Sequence, residues 1–333
     1  MRTLLTCLLY SALAASSWPA AAYGPDGHKT IGAIADRLLV GTRASTQVAA
    51  LLGGLSLQDA AVWADCAKGV NETTLKYVKN ARFQECAVFE TPEGIAAMED
   101  FVTRNNRQCN PAPDDEICHK GYHYTDIAIQ HPHYDNSLVG ARPSDIVAAI
   151  RAALIVLQGG TSPAPFDFKD KREALLVLAH YVGDIHQPLH VGAVYLSAAG
   201  RRSNPDVGTY NPQTFTRGGN QLLIGGDPKA KLHGAWDDVP DALKSAQADA
   251  LSVAARRIAV TPGSLPDWPQ TWASETLNDA RKAFVGTRFA AKSGKTWNIT
   301  LPPNYTPTMT AIKTERVESA GARLAQALQA VWP

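Results

Sequence analysis

The stretch His180-Tyr-Val-Gly-Asp184-Ile-His-Gln-Pro-Leu-His190 closes a strong helical pattern in the middle of the chain. Upstream of it, apolar residues recur every three or four positions, which predicts a helix over 169–186. In such a helix His180 and Asp184 lie on one face, one turn apart, so an imidazole and a carboxylate emerge side by side. Pro188 cannot continue the helix, and the turn that follows can bring the final histidine back toward the same face.

Imidazole and carboxylate groups presented in this way suit a borderline cation such as Zn²⁺. His233 and Asp237 form a second pair at the same offset, at the start of another predicted helix, and His123 and Asp126 lie three apart among aromatic residues. Asp65 follows an apolar run. A single pair of this kind is more often a helix-surface hydrogen bond or salt bridge. Several such segments in one chain favour a metal site.

Helical periodicity also dominates the rest of the chain. Strand-like alternation is confined to short pieces such as 221–224, and irregular loops are expected over 108–122 and 192–217. Because the chain has no linker-like stretch and no internal repeat, we predict a mostly α fold with a single compact multi-helix domain over 23–333. The predicted helices lie at 28–42, 44–53, 57–67, 92–106, 143–158, 169–186, 238–259, 268–284 and 310–331.

The composition of the 333-residue chain, 45% hydrophobic and 19% charged, excludes a disordered, collagen-like or coiled-coil protein. Its 32 Lys and Arg residues against 31 Asp and Glu give a net charge of +1. The chain therefore lacks the broad basic face by which many nucleic-acid-binding proteins neutralise phosphates. Affinity for phosphate would require another source of positive charge.

The N-terminal residues have the order typical of a secretory signal peptide. Arg2 precedes an apolar run that is too short to span a bilayer, and small residues follow at 20–22. We expect residues 1–22 to be removed, so that the mature chain begins at Tyr23 and is secreted or periplasmic, without a membrane span. Cleavage before Trp18 is the alternative.

Export also bears on the cysteines. Without Cys7 of the signal peptide, four cysteines remain, an even number in an oxidising compartment, so two disulfide bonds are expected. Cys66 with Cys86 and Cys109 with Cys118 is the more local of three possible pairings, and the sequence alone does not choose among them.

Six segments together resemble the trinuclear zinc-dependent nucleases of the nuclease S-one and nuclease P-one type, as a bacterial-like member. The resemblance runs in order from residue 23 to about residue 240, and the central stretch is its most specific part. It implies the mostly α fold shared by nuclease P-one and zinc phospholipase C. The segments are Tyr23-Gly-Pro-Asp-Gly-His28, Trp63-Ala-Asp65, Tyr122-His-Tyr-Thr-Asp126, His180–His190, Gly218-Gly-Asn220 and His233-Gly-Ala-Trp-Asp237.

The resemblance implies that three zinc ions share one cleft. The first would be bound by Asp65, His123, His180 and Asp184. The second would be bound by His190, His233 and Asp237, and the third by His28 and the backbone amino and carbonyl groups of Tyr23, with Asp184 bridging. These ions would bring about +6 of charge into the cleft, which supplies the positive charge that the chain itself lacks.

The resemblance also implies roles in catalysis and substrate binding. Asp126 would orient the attacking water and Lys68 would assist at the phosphate, while Tyr124 would stack on a base and Asn220 would contact a base or cap a turn. Two residues depart from the family pattern, which usually has tryptophan in place of Tyr23 and arginine in place of Lys68. Lysine supplies charge but not the planar fork that binds phosphate through two hydrogen bonds.

The implied activity is hydrolysis of single-stranded DNA and RNA to 5′-phosphorylated products, together with 3′-nucleotidase activity on nucleotides. We expect a monomer. The alternatives are a zinc phospholipase C, which the five-residue step from Tyr23 to His28 and the aspartate at position 237 disfavour, and a non-catalytic zinc-binding exported helical protein. His119, His131, His133 and His186 match no ligand position and are expected to be surface or hydrogen-bonded histidines.

Overall fold

The computed structural model describes residues 23–106, 116 and 118–333. The α-helices in these residues are Pro25–Leu39 (α1), Arg43–Leu52 (α2), Leu57–Ala60 (α3), Trp63–Ala67 (α4), Pro92–Asn106 (α5), Cys118–Gly121 (α6), Ile146–Leu157 (α7), Lys171–Asp184 (α8), Leu232–Asp237 (α9), Ala248–Ala255 (α10), Trp268–Ala283 (α11) and Tyr305–Val331 (α12). The predicted mostly α fold is confirmed.

The strands are few and short, and they form three small sheets in the described residues. Ile127–Ala128 (β1) pairs in parallel with Gly192–Ala193 (β2), and Tyr195–Leu196 (β3) pairs antiparallel with Arg202–Ser203 (β4). In the third sheet Thr296–Thr300 (β7) lies between Leu222–Ile224 (β5) and Arg288–Ser293 (β6). The β1–β2 pair ties the segment that follows His123 to the segment that follows His190.

Helix α8 is the central element of the fold. It packs against α1, α2, α3, α4, α7 and α12. Every residue from Glu173 to Asp184 is buried, as expected for a helix with neighbours on all sides. The Asp170 side chain accepts a hydrogen bond from the backbone N–H of Glu173 and so caps the N-terminus of the helix. The predicted helix over 169–186 is confirmed to within two residues at each end.

The helix predicted over 57–67 is two helices instead. The side chains of Ser56 and Asp59 form a reciprocal capping box at the start of α3, and the chain then leaves the helical path at Ala61 and Val62 before α4 begins. The carbonyl of Ala61 is thereby free of an α-helical partner and accepts a hydrogen bond from His180 instead. The break between α3 and α4 therefore provides the carbonyl that orients the His180 ring on α8.

The structure differs from the predictions at two further places. The helix predicted over 238–259 is α-helical only over Ala248–Ala255, because Pro240 and two short 3₁₀ turns precede it. The strands are short pieces, as predicted, but they include a hairpin of β6 and β7 that turns at Gly294 and lies outside the predicted segments. Buried Trp297 and Ile299 alternate with exposed residues in β7, which is the period-two pattern of a strand.

A disulfide bond joins Cys66 and Cys86, which confirms one of the expected pairings. The other expected pairing includes Cys109, which lies outside the described residues, as does the predicted signal peptide over 1–22. Among the described helices, none combines the length and the apolar character needed to cross a bilayer.

Candidate metal centre

Four elements bring histidine and aspartate side chains, all of them buried except the half-buried Asp65, to one end of α8. Helix α8 contributes His180 and Asp184, α1 contributes His28, α4 contributes Asp65, and the segment after α6 contributes His123. The side chains of His28, His180 and Asp184 are completely buried. The four-residue spacing of His180 and Asp184 places them on one face of the helix, as predicted.

These five side chains are close enough for several of them to bind the same metal ion. His180 Nε2 lies 3.1 Å from Asp184 Oδ2, 3.0 Å from His123 Nδ1 and 3.6 Å from Asp65 Oδ1. His123 Nδ1 lies 2.8 Å from the same Asp184 oxygen. The other oxygen of Asp184, Oδ1, lies 3.1 Å from His28 Nε2. Asp184 therefore contacts histidines on both sides and links them into one cluster.

A second cluster consists of His190, His233 and Asp237. The Nε2 atoms of His190 and His233 are 3.1 Å apart. Asp237 Oδ1 lies 3.9 Å from His190 Nε2, and Asp237 Oδ2 lies 3.6 Å from His233 Nε2. The turn after α8 thus returns His190 to the same region as the α9 pair, in agreement with the chain reversal predicted at Pro188.

Backbone carbonyls fix which nitrogen of three of these histidines carries a proton. The Nδ1 atoms of His180, His190 and His233 face the carbonyl oxygens of Ala61, His123 and Gly218 at 2.6, 2.8 and 2.7 Å. A carbonyl only accepts hydrogen bonds, so each Nδ1 donates its proton. When neutral, each ring therefore presents the lone pair of Nε2 to its cluster, which is the arrangement typical of metal-binding histidines.

Burial keeps most of these rings neutral. It lowers the pKa of His28 to about 4, and that of His123 and His233 to about 3. For His180, burial acts in the same direction, but the carboxylates of Asp184 and Asp65 outweigh it and raise the pKa. For Asp184, burial would raise the pKa, but His180 and the hydrogen bonds from neighbouring histidines hold it well below its usual range.

The donor atoms fit metal ions better than they fit one another. His190 and His233 turn two lone pairs toward each other, and neither nitrogen of His28 nor Oδ1 of Asp184 makes a well-aligned hydrogen bond. A tetrahedral zinc ion with bonds of about 2.0 Å places its ligands about 3.3 Å apart, close to the spacings found here. Three groups have ligand atoms within 4.8 Å of one another: His28, His180 and Asp184; Asp65, His123 and His180; and His190, His233 and Asp237.

The first described residue also lies in this region. The Tyr23 side chain is buried, and its hydroxyl donates a hydrogen bond to the His186 carbonyl at 3.3 Å. The backbone N–H of Gly24 donates to the carbonyl of Asp237 at 2.8 Å. The start of α1 is therefore attached to the end of α9, beside both clusters.

Gly183 lets α1 approach α8 closely. A Cβ atom at this position would lie 2.8 Å from His28 Nδ1 and 3.3 Å from Ile31 Cδ1. We expect Gly183→Ala to lower the free energy of unfolding by about 1–3 kcal/mol, as overpacking typically does, and to displace His28. Urea denaturation and metal analysis of the variant measure both effects.

Gly234 is the matched control for this substitution. It lies in α9, and a Cβ atom there would have no neighbour within 4 Å. Gly234→Ala is expected to be neutral or to stabilise the protein by roughly 0.5–1 kcal/mol, because alanine loses less entropy than glycine in a helix. Equal stability of the two variants would contradict the close packing of His28 on Gly183.

The two predicted catalytic residues lie at different sides of the clusters. Lys68 Nζ is 2.7 Å from Asp65 Oδ1. Burial disfavours the charged form of Lys68, but the carboxylates of Asp65 and Asp184 outweigh burial and raise the pKa of Lys68, so the ammonium is retained. Asp126 is buried beside the second cluster. Its Oδ1 atom and His233 Nδ1 lie 3.5 and 3.2 Å from the position that a Cβ atom on Gly218 would occupy.

The two predicted substrate-binding residues already have protein partners. The guanidinium of Arg142 lies over the half-buried ring of Tyr124, 4.6 Å from its centroid, so a base would stack on the opposite face or displace Arg142. The side-chain amide of Asn220 donates a hydrogen bond to the Arg217 carbonyl at 3.1 Å, which closes the turn that contains Gly218 and Gly219.

Some contributors to the site were not identified from the sequence. Gln187 donates a hydrogen bond to Asp237 Oδ1 at 2.6 Å, and its position inside the central stretch was the available signal. Lys313 of α12 donates to the carbonyls of Ala235, at 2.7 Å, and Asp238, at the end of α9. Nothing in the local sequence of α12 indicates that contact, because it depends on how two distant helices pack.

The four unassigned histidines lie outside the two clusters. His119 Nδ1 lies 2.8 Å from Asn106 Oδ1, His131 Nε2 lies 2.7 Å from Asp206 Oδ2, and His186 lies 3.0 Å from an Arg323 nitrogen. His133 is exposed. These positions agree with the expectation of surface or hydrogen-bonded histidines.

Comparison with known proteins finds similarity to a nuclease family and to plant endonucleases. The family model described as S1/P1 Nuclease matches residues 23–332. Endonuclease 1 of Arabidopsis thaliana is 31% identical over 179 residues, 48% of this chain and 50% of the relative. Endonuclease 4 of the same plant is 28% identical over 178 residues, with the same coverage. The matched part spans about half the length of these curated relatives.

Proposed function

The chain belongs to the S1/P1 nuclease family, and from this premise we propose that it is an exported zinc-dependent phosphodiesterase. Its substrates are single-stranded DNA and RNA, which it cleaves to 5′-phosphorylated products, and it removes the phosphate of nucleoside 3′-monophosphates. The relatives named as endonucleases support the reaction class. The disulfide between Cys66 and Cys86 supports export to an oxidising compartment, secreted or periplasmic.

One observation carries the proposal. His190 and His233 face each other through Nε2 at 3.1 Å, while both Nδ1 protons are donated to backbone carbonyls. Two lone pairs at this distance repel each other unless a cation lies between them. Together with the Asp184 cluster, this donor set supports a site for several zinc ions rather than a neutral hydrogen-bonded core.

The side chains proposed to bind zinc fall into the two clusters described above. Asp65, His123, His180 and Asp184 would hold one ion, and His190, His233 and Asp237 a second. His28, Asp184 and the backbone amino and carbonyl groups of Tyr23 would hold a third. Bound zinc lowers the pKa of a coordinated water toward neutrality and offsets the charge of a phosphodiester.

Two further side chains would act on the substrate directly. The Lys68 ammonium has a raised pKa and so keeps its charge, and it would pair with a non-bridging phosphate oxygen. Asp126 would accept a hydrogen bond from the attacking water and hold it in line with the bond that breaks. Tyr124 would stack on a base through the ring face opposite Arg142, which favours substrates whose bases are unpaired.

The proposed activity is tested by comparing three substrates for the zinc-loaded protein. We expect rapid hydrolysis of single-stranded DNA, slower hydrolysis of the same sequence as a duplex, and no turnover of phosphatidylcholine. End-group analysis should find 5′-phosphates. Turnover of phosphatidylcholine without cleavage of DNA would instead identify a phospholipase C, and a zinc-saturated protein that hydrolyses none of them would be a zinc-binding protein.

Retaining one extra residue before Tyr23 tests the proposed backbone ligand. The extension converts the α-amino group into an amide, which is a far poorer metal ligand, and we expect the third zinc ion to lose occupancy and activity to fall at least about tenfold. Metal analysis and initial rates measure the two effects. A protein that begins at Tyr23 is the control, and full zinc occupancy in the extended protein would refute the role of the terminal amine.

A further inference from the structure

A cleft of about 570 Å³ opens beside the first metal cluster and leads away from it. Asp65, Lys68 and Pro25 line its inner end, and the segment from Gly69 to Asn80 forms one side. Neither Tyr124 nor Asn220, the residues expected to contact a base, is among its lining residues. The cleft is therefore continuous with the proposed phosphate position at Lys68 but separate from the proposed base contacts.

Covalent and packing constraints hold the walls of the cleft in place. Cys66 of α4 and Cys86 both line it and are joined by the disulfide bond. Val70 and Tyr77 form an antiparallel β-bridge across the segment, and the Tyr77 ring packs so close to Gly69 that a Cβ atom there would lie 2.8 Å from it. The cleft exists before any ligand binds, so little ordering is needed on binding.

The lining combines apolar side chains with paired charges. Val78 is 59% exposed, and the half-buried rings of Tyr77 and Phe83 also line the cleft. Lys68, Lys79 and Lys120 line it too, each paired with a carboxylate, of Asp65, Glu90 and Glu72, and Glu85 is a further acidic lining residue. A nucleotide chain matches this lining chiefly through its flat apolar bases, and a phosphate would bind a lysine by replacing its carboxylate partner.

We propose that this cleft binds further nucleotides of a single-stranded substrate. These nucleotides lie outside the two that flank the bond to be cleaved. The inference rests on the proposed nuclease function and extends it by assigning a chain-binding subsite. Contacts through apolar side chains and lysine do not distinguish one base from another, so the subsite favours long single strands without a sequence preference. A duplex is excluded because its bases are paired and stacked away from the walls.

Substitution of Val78 by residues of opposite charge tests the subsite. In Val78→Asp, a carboxylate would face the incoming phosphates, and we expect the KM for decathymidylate to rise about tenfold. In Val78→Lys, the added ammonium should leave that KM unchanged or lower it. A purely structural effect of replacing Val78 would move both variants in the same direction.

Val285→Asp is the matched control, since this valine is 68% exposed and lies outside the cleft. The readout is kcat/KM for decathymidylate divided by kcat/KM for thymidine 3′-monophosphate. We expect this ratio to fall about tenfold in Val78→Asp and to stay at the wild-type value in Val285→Asp. Equal ratios in the two aspartate variants, or equal effects of Val78→Asp and Val78→Lys, would overturn the proposal.

The same experiment separates failure of the subsite from failure of the proposed function. If the unaltered protein hydrolyses neither substrate when loaded with zinc, the nuclease assignment is wrong and the inference falls with it. If it hydrolyses both and the ratio does not respond to Val78→Asp, only the subsite is wrong.

Discussion

Replacement of His180 by alanine is expected to abolish hydrolysis of single-stranded DNA, with a loss of more than about 100-fold, beyond the loss typical of residues that only support a ligand. His180 Nε2 lies within 3.6 Å of donor atoms of Asp65, His123 and Asp184, and His180 belongs to two of the three groups able to hold an ion. Bound zinc and the melting temperature should fall together with the rate, because metal binding and folding are coupled. Metal analysis, calorimetry and initial rates measure the three effects.

His133→Ala provides the control for this variant. His133 is exposed and lies outside the two clusters, so its replacement should leave zinc content, melting temperature and rate unchanged. If His180→Ala retained wild-type hydrolysis while His133→Ala did the same, the cluster around Asp184 would have no part in the reaction.

Removal of zinc by a chelator is expected to lower the melting temperature by about 10 °C or more. Each ion present at about 1,000 times its dissociation constant contributes about 4 kcal/mol to the folded state, and a domain of this size shifts by roughly 2 °C per kcal/mol, so two or three ions together account for a shift of more than about 10 °C. Without the ions, Asp184 Oδ1 and both nitrogens of His28 remain buried without a well-aligned hydrogen bond, and the lone pairs of His190 and His233 face each other. Thermal denaturation before and after chelation measures the shift.

Readdition of metal distinguishes zinc from other ions in that experiment. Zinc should restore both the melting temperature and hydrolysis, whereas Mg²⁺ and Ca²⁺ should not, because they favour sites made of oxygen ligands. A melting temperature that does not respond to chelation would be inconsistent with metal bound at the centre of the fold.

The parts of the fold that were predicted correctly are those with strong local signals. The helix that carries His180 follows from a continuous apolar pattern and a proline just beyond its end. Pro188 correctly predicted a turn that brings His190 back to the region of His180 and Asp184. In each case the signal lies within a few residues of the structure it determines.

The predictions that failed concern features with weak local signals or with contacts between distant residues. Helix α10 is much shorter than predicted, because Pro240 and the turns after it outweigh the helical periodicity across 238–247. The β6–β7 hairpin is not evident from the sequence, because alternation over five or six residues is a weak signal next to long helical patterns. The parallel pairing of β7 with β5 joins residues far apart in the sequence, which no local pattern reveals.

The candidate site shows the same division. The His180/Asp184 and His233/Asp237 pairs were predictable from spacing, since each pair shares one helix face. The carbonyls of Ala61, His123 and Gly218, which fix the histidine protons, were not predictable, because every residue has a carbonyl and only tertiary packing selects these three. The dual role of Asp184 between His28 and His180 likewise became visible only from the distances.

The most direct test of the proposed zinc-dependent reaction is the rate of single-stranded DNA hydrolysis measured as zinc is returned to the metal-free protein that begins at Tyr23. We expect no hydrolysis without metal and a rate that rises with bound zinc until about three ions are held per chain. Full hydrolysis by protein shown to contain no metal would contradict the zinc-dependent reaction.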